Sequence, residues 1–400
     1  MRSPRRTLTT LFLIVFTDLI GFGIVIPLLP LYAEHYRPAP WVFGALMASY
    51  SAMQFVFSPI LGRISDRVGR RPVLLISLAG SVTGFVLFAL AHSLAWLFAS
   101  RLLAGICGGN IATAQAVIAD TTPPEKRAHG MGLIGAAFGL GFIAGPALAG
   151  VLAPVSMAAP GWGAAVFSVA AWTMTLLFLP ETRPTAGADR SPAPASGFAR
   201  LAYAFGHAEL APLLAIGFLL VTGFAAFEVT FAQFLHDRLA LPHSGVGFLF
   251  VYVGVLAAAV QGGLVGRATR RFGERVLLLA GLSATAAGLV MLALSQTLAG
   301  VMAVLPLASL GSGLAMPSLS SLVSRSARAD EQGAALGAFQ GVGSLARVVG
   351  PFSAELAVGA WGVGAPPLGA AALSAVAAFG VGMLLRRWRT AAPGAAPPQG

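Results

Sequence analysis

The sequence predicts an all-α polytopic membrane protein, with twelve transmembrane helices arranged as two pseudo-symmetric six-helix bundles. Three observations lead there. The 400-residue chain is 57% hydrophobic and only 10% charged, with a mean hydropathy of +0.82, whereas soluble domains carry about 25% charged residues. Apolar runs of transmembrane length recur along the whole chain, each span and its joint taking roughly 33 residues. A polar motif also returns half a chain later. The first observation excludes an aqueous globular enzyme. The single cysteine, Cys107, excludes a disulfide framework and a cysteine-rich metal site.

Bounded by charges or by Pro and Gly, the runs fall near 8–31, 41–61, 72–91, 95–118, 130–152 and 161–180. The second half gives 210–234, 244–265, 276–295, 299–323, 334–357 and 366–385. The first run is too long for a signal-peptide core and lacks a small-residue cleavage site, so it reads as a retained span. Of 25 Lys and Arg, 21 fall on one set of alternate joints and the two ends, and only Arg37 and Arg238 lie in the opposite loops. Positive charge stays on the cytoplasmic side. Both termini are therefore expected in the cytoplasm, and the number of spans is even. The net charge of +11 thus reports topology rather than a nucleic-acid partner.

The repeat is specific. Gly62-Arg-Ile-Ser-Asp66-Arg67-Val-Gly69-Arg70-Arg71 follows span two, and Gly266-Arg-Ala-Thr-Arg270-Arg271-Phe-Gly273-Glu274-Arg275 follows span eight, at an offset of 204. In spans five and eleven, Gly132, Gly145 and Pro146 match Gly337, Gly350 and Pro351 at an offset of 205. The expected organisation is a first bundle over 1–181, a cytoplasmic linker over 182–209, a second bundle over 210–389 and a tail over 390–400. Repeats of this kind build transporters that rock about a site near the bilayer midplane.

Asp18 is the outstanding acid. It lies about 11 residues into span one, roughly 16 Å from the cytoplasmic end and near the middle of a ~30 Å hydrocarbon core. A carboxylate there costs about 2.5 kcal/mol or more, and taking up a proton relieves that cost. Arg101, about two turns from the outer end of span four, is expected at a similar depth, where a cation would help Asp18 discharge. The alternatives are an acid satisfied by neighbouring hydroxyls or by Arg101, and an arginine snorkelling to the outer interface. In span five, Gly141 and Gly145 share a helical face, and Gly135 and Gly139 form a second pair, so a neighbouring helix can approach closely. Pro146 favours a bend there; ordinary helix packing is the competing reading. Tyr50, Gln54, Asn110, Gln115, Gln233, Gln261 and Gln340, with Phe138, Phe142 and Arg347, could line a mostly apolar cavity or simply bond helix to helix. Glu228 and Glu355 fall near the outer ends of their spans and read as solvated rims. The histidines sit mainly in loops at irregular spacing, so no metal site is expected.

These residues resemble the major facilitator superfamily, and within it the twelve-span drug/proton antiporters. The resemblance covers nearly the whole chain. Gly62, Asp66, Arg67, Gly69, Arg70 and Arg71 fill the superfamily's loop signature. Gly132, Gly141, Gly145, Pro146 and Gly150 fill the span-five signature of its exporters, with Ala149 in place of one Gly. Arg101-Leu-Leu-Ala-Gly105 and Ile118-Ala-Asp120-Thr-Thr look especially like bacterial tetracycline exporters. The resemblance implies proton handling by Arg101, and a conformational latch in which Asp66 meets the positive end of span eleven. The latch position in the second half is Arg270, so the latch is not symmetric. Tetracycline exporters carry further acids in spans three and nine, where this sequence has Gly84 and Thr285, so a broad range of lipophilic substrates is the better expectation.

The functional expectation is an inner-membrane, multi-pass, monomeric exporter that exchanges small lipophilic or cationic compounds for protons and uses no cofactor. Proton and substrate would compete for Asp18. The alternative is the same fold running inward as a proton-coupled symporter of a small metabolite.

Overall fold

The computed structural model describes residues 4–29, 32, 36–122, 133–134, 137, 140–141, 144–182, 206–207, 209–327 and 332–390. Every regular element among them is helical, and nine helical segments are long and apolar enough to cross a membrane. The helices of the first half are α1 (Pro4–Val25), α2 (Pro40–Val68), α3 (Arg70–Ala89), α4 (Leu94–Cys107), α5 (Asn110–Thr121), α6 (144–152) and α7 (Ala159–Phe178). The second half holds α8 (Leu210–Leu239), α9 (His243–Ala259), α10 (Val265–Leu294), α11 (Leu298–Arg325), α12 (Gln332–Trp361) and α13 (Ala365–Thr390).

Each half builds its own apolar cores. Leu11, Leu74 and Ile118 centre one, and Ile24, Leu46 and Phe88 another. Leu213, Leu282 and Leu319 and Phe231, Phe234 and Leu249 do the same in the second half. The repeat is visible in the packing as well. A Cβ on Gly145 would lie 2.5 Å from Cα of Gly23 in α1, and one on Gly350 would lie 2.6 Å from the Thr222 carbonyl of α8. Span five thus presses backbone to backbone on span one, and span eleven on span seven. Lipid offers no hydrophobic drive for helix association, so close contact of this kind is what holds such helices together.

Three elements depart from the sequence expectation. Span four is not one helix. It breaks at Gly108-Gly109, which join α4 to α5, and the Gly108 carbonyl accepts a hydrogen bond from Gln54 Nε2 at 3.0 Å. Gly is a poor helix former, and the Gln54 amide satisfies a carbonyl at the break. Span eight runs into a π-helical turn at Val260–Leu264, which contains Gly262 and Gly263; such turns widen a helix locally. The joint after span eight is shorter than expected: helix runs on to a sharp turn at Gly273, at φ 76° and ψ 157°, where the helices of spans eight and nine meet. Its repeat partner Gly69 has φ 124°, a region that favours glycine, which explains why this motif position is glycine in both halves.

The two halves meet at the end remote from the arginine-rich joints. Gly44 of α2 lies against Phe352 and Glu355 of α12, and Pro40 against Gly359. Gly150 of α6 lies against Gly247 of α9, where a Cβ would come within 2.8 Å of the opposing Cα. At the arginine-rich end, Cβ positions on Gly62, Gly263 and Gly337 have no atom within 4 Å. Among the described residues, the close approaches between the halves lie at that first end.

Candidate functional site

Asp18 faces the interior of the first bundle. Its Oδ2 accepts from Asn110 Nδ2 at 2.9 Å and its Oδ1 from Ser168 Oγ at 3.0 Å. The break in span four starts α5 at Asn110, and α7 supplies Ser168. The carboxylate therefore ties spans one, four and six together. Asn110 is a predicted residue in a role the sequence did not assign to it, and Ser168 is new.

Arg101 departs from expectation. It is 2% exposed, but no ion pair joins it to Asp18 among the described residues. Its guanidinium instead lies over the rings of Phe88 and Phe85, at 5.3 and 5.9 Å. Nε donates to Ser100 Oγ at 3.3 Å, and Nη2 is buried with no hydrogen-bond partner. Attraction to the ring faces and burial among apolar side chains hold it in place, so the snorkelling alternative fails as well.

A cavity of about 50 Å³ lies between the halves, lined by Phe22, Met47, Tyr50, Ser51, Arg101, Glu228, Val229, Arg347 and neighbouring apolar residues. Phe22 and Tyr50 pack ring to ring at 4.4 Å, and Gln54 reaches the Tyr50 hydroxyl at 3.4 Å. Arg347 Nη2 donates to Ser344 Oγ at 3.2 Å. Of the predicted lining residues, Tyr50 and Arg347 reach the cavity, with Gln54 behind Tyr50, and Arg101, predicted for proton handling, joins them. Gln115 and Gln340 do not line it. Gln233 lies in the closed end, within hydrogen-bonding reach of Glu355. Gly132, Phe138, Phe142 and the Gln261 side chain lie outside the described residues.

The reading of Glu228 and Glu355 as solvated rims is overturned. Glu228 lines the central cavity. Glu355 is 2% exposed, because α2 packs over it at Gly44. Nearness to a helix end does not give access to water when two halves close over that end.

The loop signature forms a second charged cluster. Arg70, 4% exposed, pairs with Asp66 at 2.6 Å and Asp120 at 2.8 Å, and donates to Ser65 Oγ at 2.7 Å. Glu181 accepts from the backbone N–H groups of Arg70 and Arg71 at 2.9 and 3.2 Å, capping α3 where its positive end favours an anion. Arg71 reaches the Leu176 carbonyl at 2.6 Å, and Arg67 is exposed at the end of α2. Asp66 is thus held within its own half in this conformation; the four residues preceding α12 lie outside the described residues. The second half carries the matching bridge with its signs exchanged, from Arg325 to Glu274 at 2.9 Å. Those positions are Arg70 plus 204 and Asp120 plus 205. The repeat offset thus relates Asp120 to Arg325 as it relates Arg70 to Glu274.

Arg70→Met is expected to leave Asp120 largely buried without its cation. Breaking a buried pair in this way costs about 3–5 kcal/mol, with the lower end applying because the Asp66 side chain remains half-exposed. The thermal midpoint of the detergent-solubilised protein should fall by several degrees, and an unchanged midpoint would refute the bridge's structural role.

Gly84 and Thr285 are packing positions. A Cβ on Gly84 would lie 3.1 Å from the Ala104 Cβ. Thr285 is buried, donates to the Gly281 carbonyl at 2.9 Å and lies against Gly311. Helix contact occupies the space that an acid would need at either position.

Comparison with known proteins agrees with this architecture. The family model of the Major Facilitator Superfamily matches residues 11–351. The class G tetracycline resistance protein of Vibrio anguillarum is 35% identical over 87% of this chain and 90% of its own. The class C protein of Escherichia coli is 35% identical over 84% and 85%. The crystal structure of the human organic anion transporter MFSD10 superposes with a TM-score of 0.73 at 27% identity, covering 95% of this chain and 100% of that one. With this match, these relatives and helices that cross a membrane in two repeated halves, the chain belongs to the Major Facilitator Superfamily and is a multi-pass membrane transporter rather than an enzyme.

Proposed function

We propose that the transporter exports small amphipathic drugs from the cytoplasm in exchange for protons. The observation that carries this reading is the Asp18 carboxylate, set mid-helix in the first bundle and held by Asn110 and Ser168 close to a cavity that both halves line. An acid kept at that depth is costly, and reversible protonation is a use that would retain it. The span-five glycines Gly141, Gly145 and Gly150, with Pro146, favour export over uptake, as do relatives named for tetracycline resistance.

The arginine distribution supports an inner-membrane protein with both termini in the cytoplasm. Residues 1–181 and 210–389 then form the two rocking bundles, 182–209 the linker and 390–400 a tail, in a protein acting as a monomer. In that orientation the packed end faces outward, and a cytoplasmic drug would be loaded from the arginine-rich end. The cavity, at about 50 Å³, is well below the roughly 300–1,000 Å³ of a drug site, so loading requires the halves to separate further. Asp66, here paired with Arg70 of its own half, would latch the cytoplasmic end by meeting the positive end of span eleven in the other conformation. One proton is driven by about 2.3 kcal/mol per 100 mV and about 1.36 kcal/mol per pH unit, which at about 100 mV and about one pH unit sustains a gradient of roughly five-hundredfold for an uncharged substrate.

Ethidium should accumulate in energised inverted vesicles carrying the protein, and a protonophore should discharge it. Accumulation in right-side-out vesicles instead would overturn export and leave uptake symport.

A further inference from the structure

We propose that the central cavity is a binding site for an organic anion, in which Arg101 of the first half and Arg347 of the second clamp an ionised acid group carried on an aromatic frame. This deepens the exporter reading, since it takes the same cavity as the substrate site.

The first support is the state of Arg101. A guanidinium offers five N–H donors and stays charged under all ordinary conditions. Arg101 is 2% exposed, and its Nη2 is buried with no partner. Buried donors of this kind are costly unless something completes them. Its place over the Phe85 and Phe88 rings uses none of its N–H donors as hydrogen bonds, and its hydrogen bond is to the neighbouring Ser100 hydroxyl. No residue of the described chain forms an ion pair with it. A preoriented guanidinium matches a carboxylate through two parallel hydrogen bonds.

The second support is the charge balance of the cavity. Arg101 and Arg347 both line it, and Glu228 is the single acid among the lining residues. No ion pair joins Glu228 to either arginine. Asp18, the nearby acid, is already held by Asn110 and Ser168 and is not part of the lining. With all three lining groups ionised, the cavity carries one net positive charge in a poorly solvated space, and a monoanion neutralises it. The 50 Å³ present here accommodates the acid group, and the tilted Phe22 and Tyr50 rings offer an aromatic surface to the rest of the molecule once the halves part.

The third support is that the two cations come from opposite halves. An anion bridging them gains full interaction only when both arginines border one space. Its binding therefore discriminates between conformations, which is what a ligand needs in order to drive a rearrangement.

The test uses the full chain in nanodiscs with nalidixate, an aromatic carboxylate, and its uncharged ethyl ester. Nalidixate should bind more tightly than the ester. Arg347→Gln should weaken nalidixate by about tenfold or more while changing the ester little, which also shows that the variant is folded. Arg347→Lys, which keeps the charge but loses the fork, should recover part of the loss. Equal binding of acid and ester, equal effects of Arg347→Gln on both, or no binding of nalidixate would overturn the proposal. The exporter reading is scored separately with ethidium in inverted vesicles. Proton-driven ethidium movement without arginine-dependent nalidixate binding sinks only the anion site. Arginine-dependent binding without any proton-driven movement sinks only the exporter.

Discussion

Asp18→Asn is expected to reduce proton-driven export to the level of vesicles lacking the protein, while the variant still inserts and retains its thermal midpoint. Asparagine has nearly the same shape, and its carbonyl can still accept from Asn110 or Ser168, the partners at 2.9 and 3.0 Å. What it cannot do is gain or lose a proton. A purely structural carboxylate would therefore tolerate the exchange with a modest stability change, whereas a carrier would not tolerate it at all. The measurement is pH-gradient-driven ethidium uptake into inverted vesicles, with substrate-induced proton release read in parallel. Full resistance in cells bearing Asp18→Asn, or undiminished proton release, would refute the carrier assignment.

Gly145→Leu is expected to abolish transport by a different route. The added Cβ would lie 2.5 Å from both Cα and C of Gly23 and 2.9 Å from the Ile24 nitrogen. These are backbone atoms of α1, which cannot rotate aside as a side chain would. Overpacking costs about 1–3 kcal/mol where neighbours can adjust, and here the helix itself must move. That displacement would shift the segment that carries Asp18. Lower yield, a lower thermal midpoint and no uptake should be seen together. Wild-type uptake by Gly145→Leu would show that spans one and five do not approach as described.

The parts of this architecture that were legible in sequence are those set by period and composition. Twelve apolar runs, the side bias of arginine and the repeat at 204 and 205 residues give a polytopic helical protein of two related halves. Asp18 stood out because a lone acid inside an apolar run has few explanations. The partners of these residues were less legible, because they depend on how helices rotate against one another. Arg101 was expected beside Asp18 from depth alone, yet it faces Phe85 and Phe88; matching depth says nothing about azimuth. Glu355 was read as wet from its position along the helix, but contact between the halves decides its exposure. The break at Gly108-Gly109 was written in the residues themselves, although a window of mean hydropathy averages it away.

The seal at the packed end has a consequence for how the transporter responds to its medium. There the halves touch through Gly44, Gly150, Gly247 and Gly359, with no ion pair across the seam among the described residues. At the opposite end stand Asp66–Arg70–Asp120 and Glu274–Arg325, the latter with its arginine well exposed. Dissolved electrolyte screens exposed charges over about 8 Å at physiological ionic strength and leaves van der Waals contact untouched. Each of these bridges lies within one half, so ionic strength acts on the joints inside the bundles at that end and leaves the packed seam between the halves untouched.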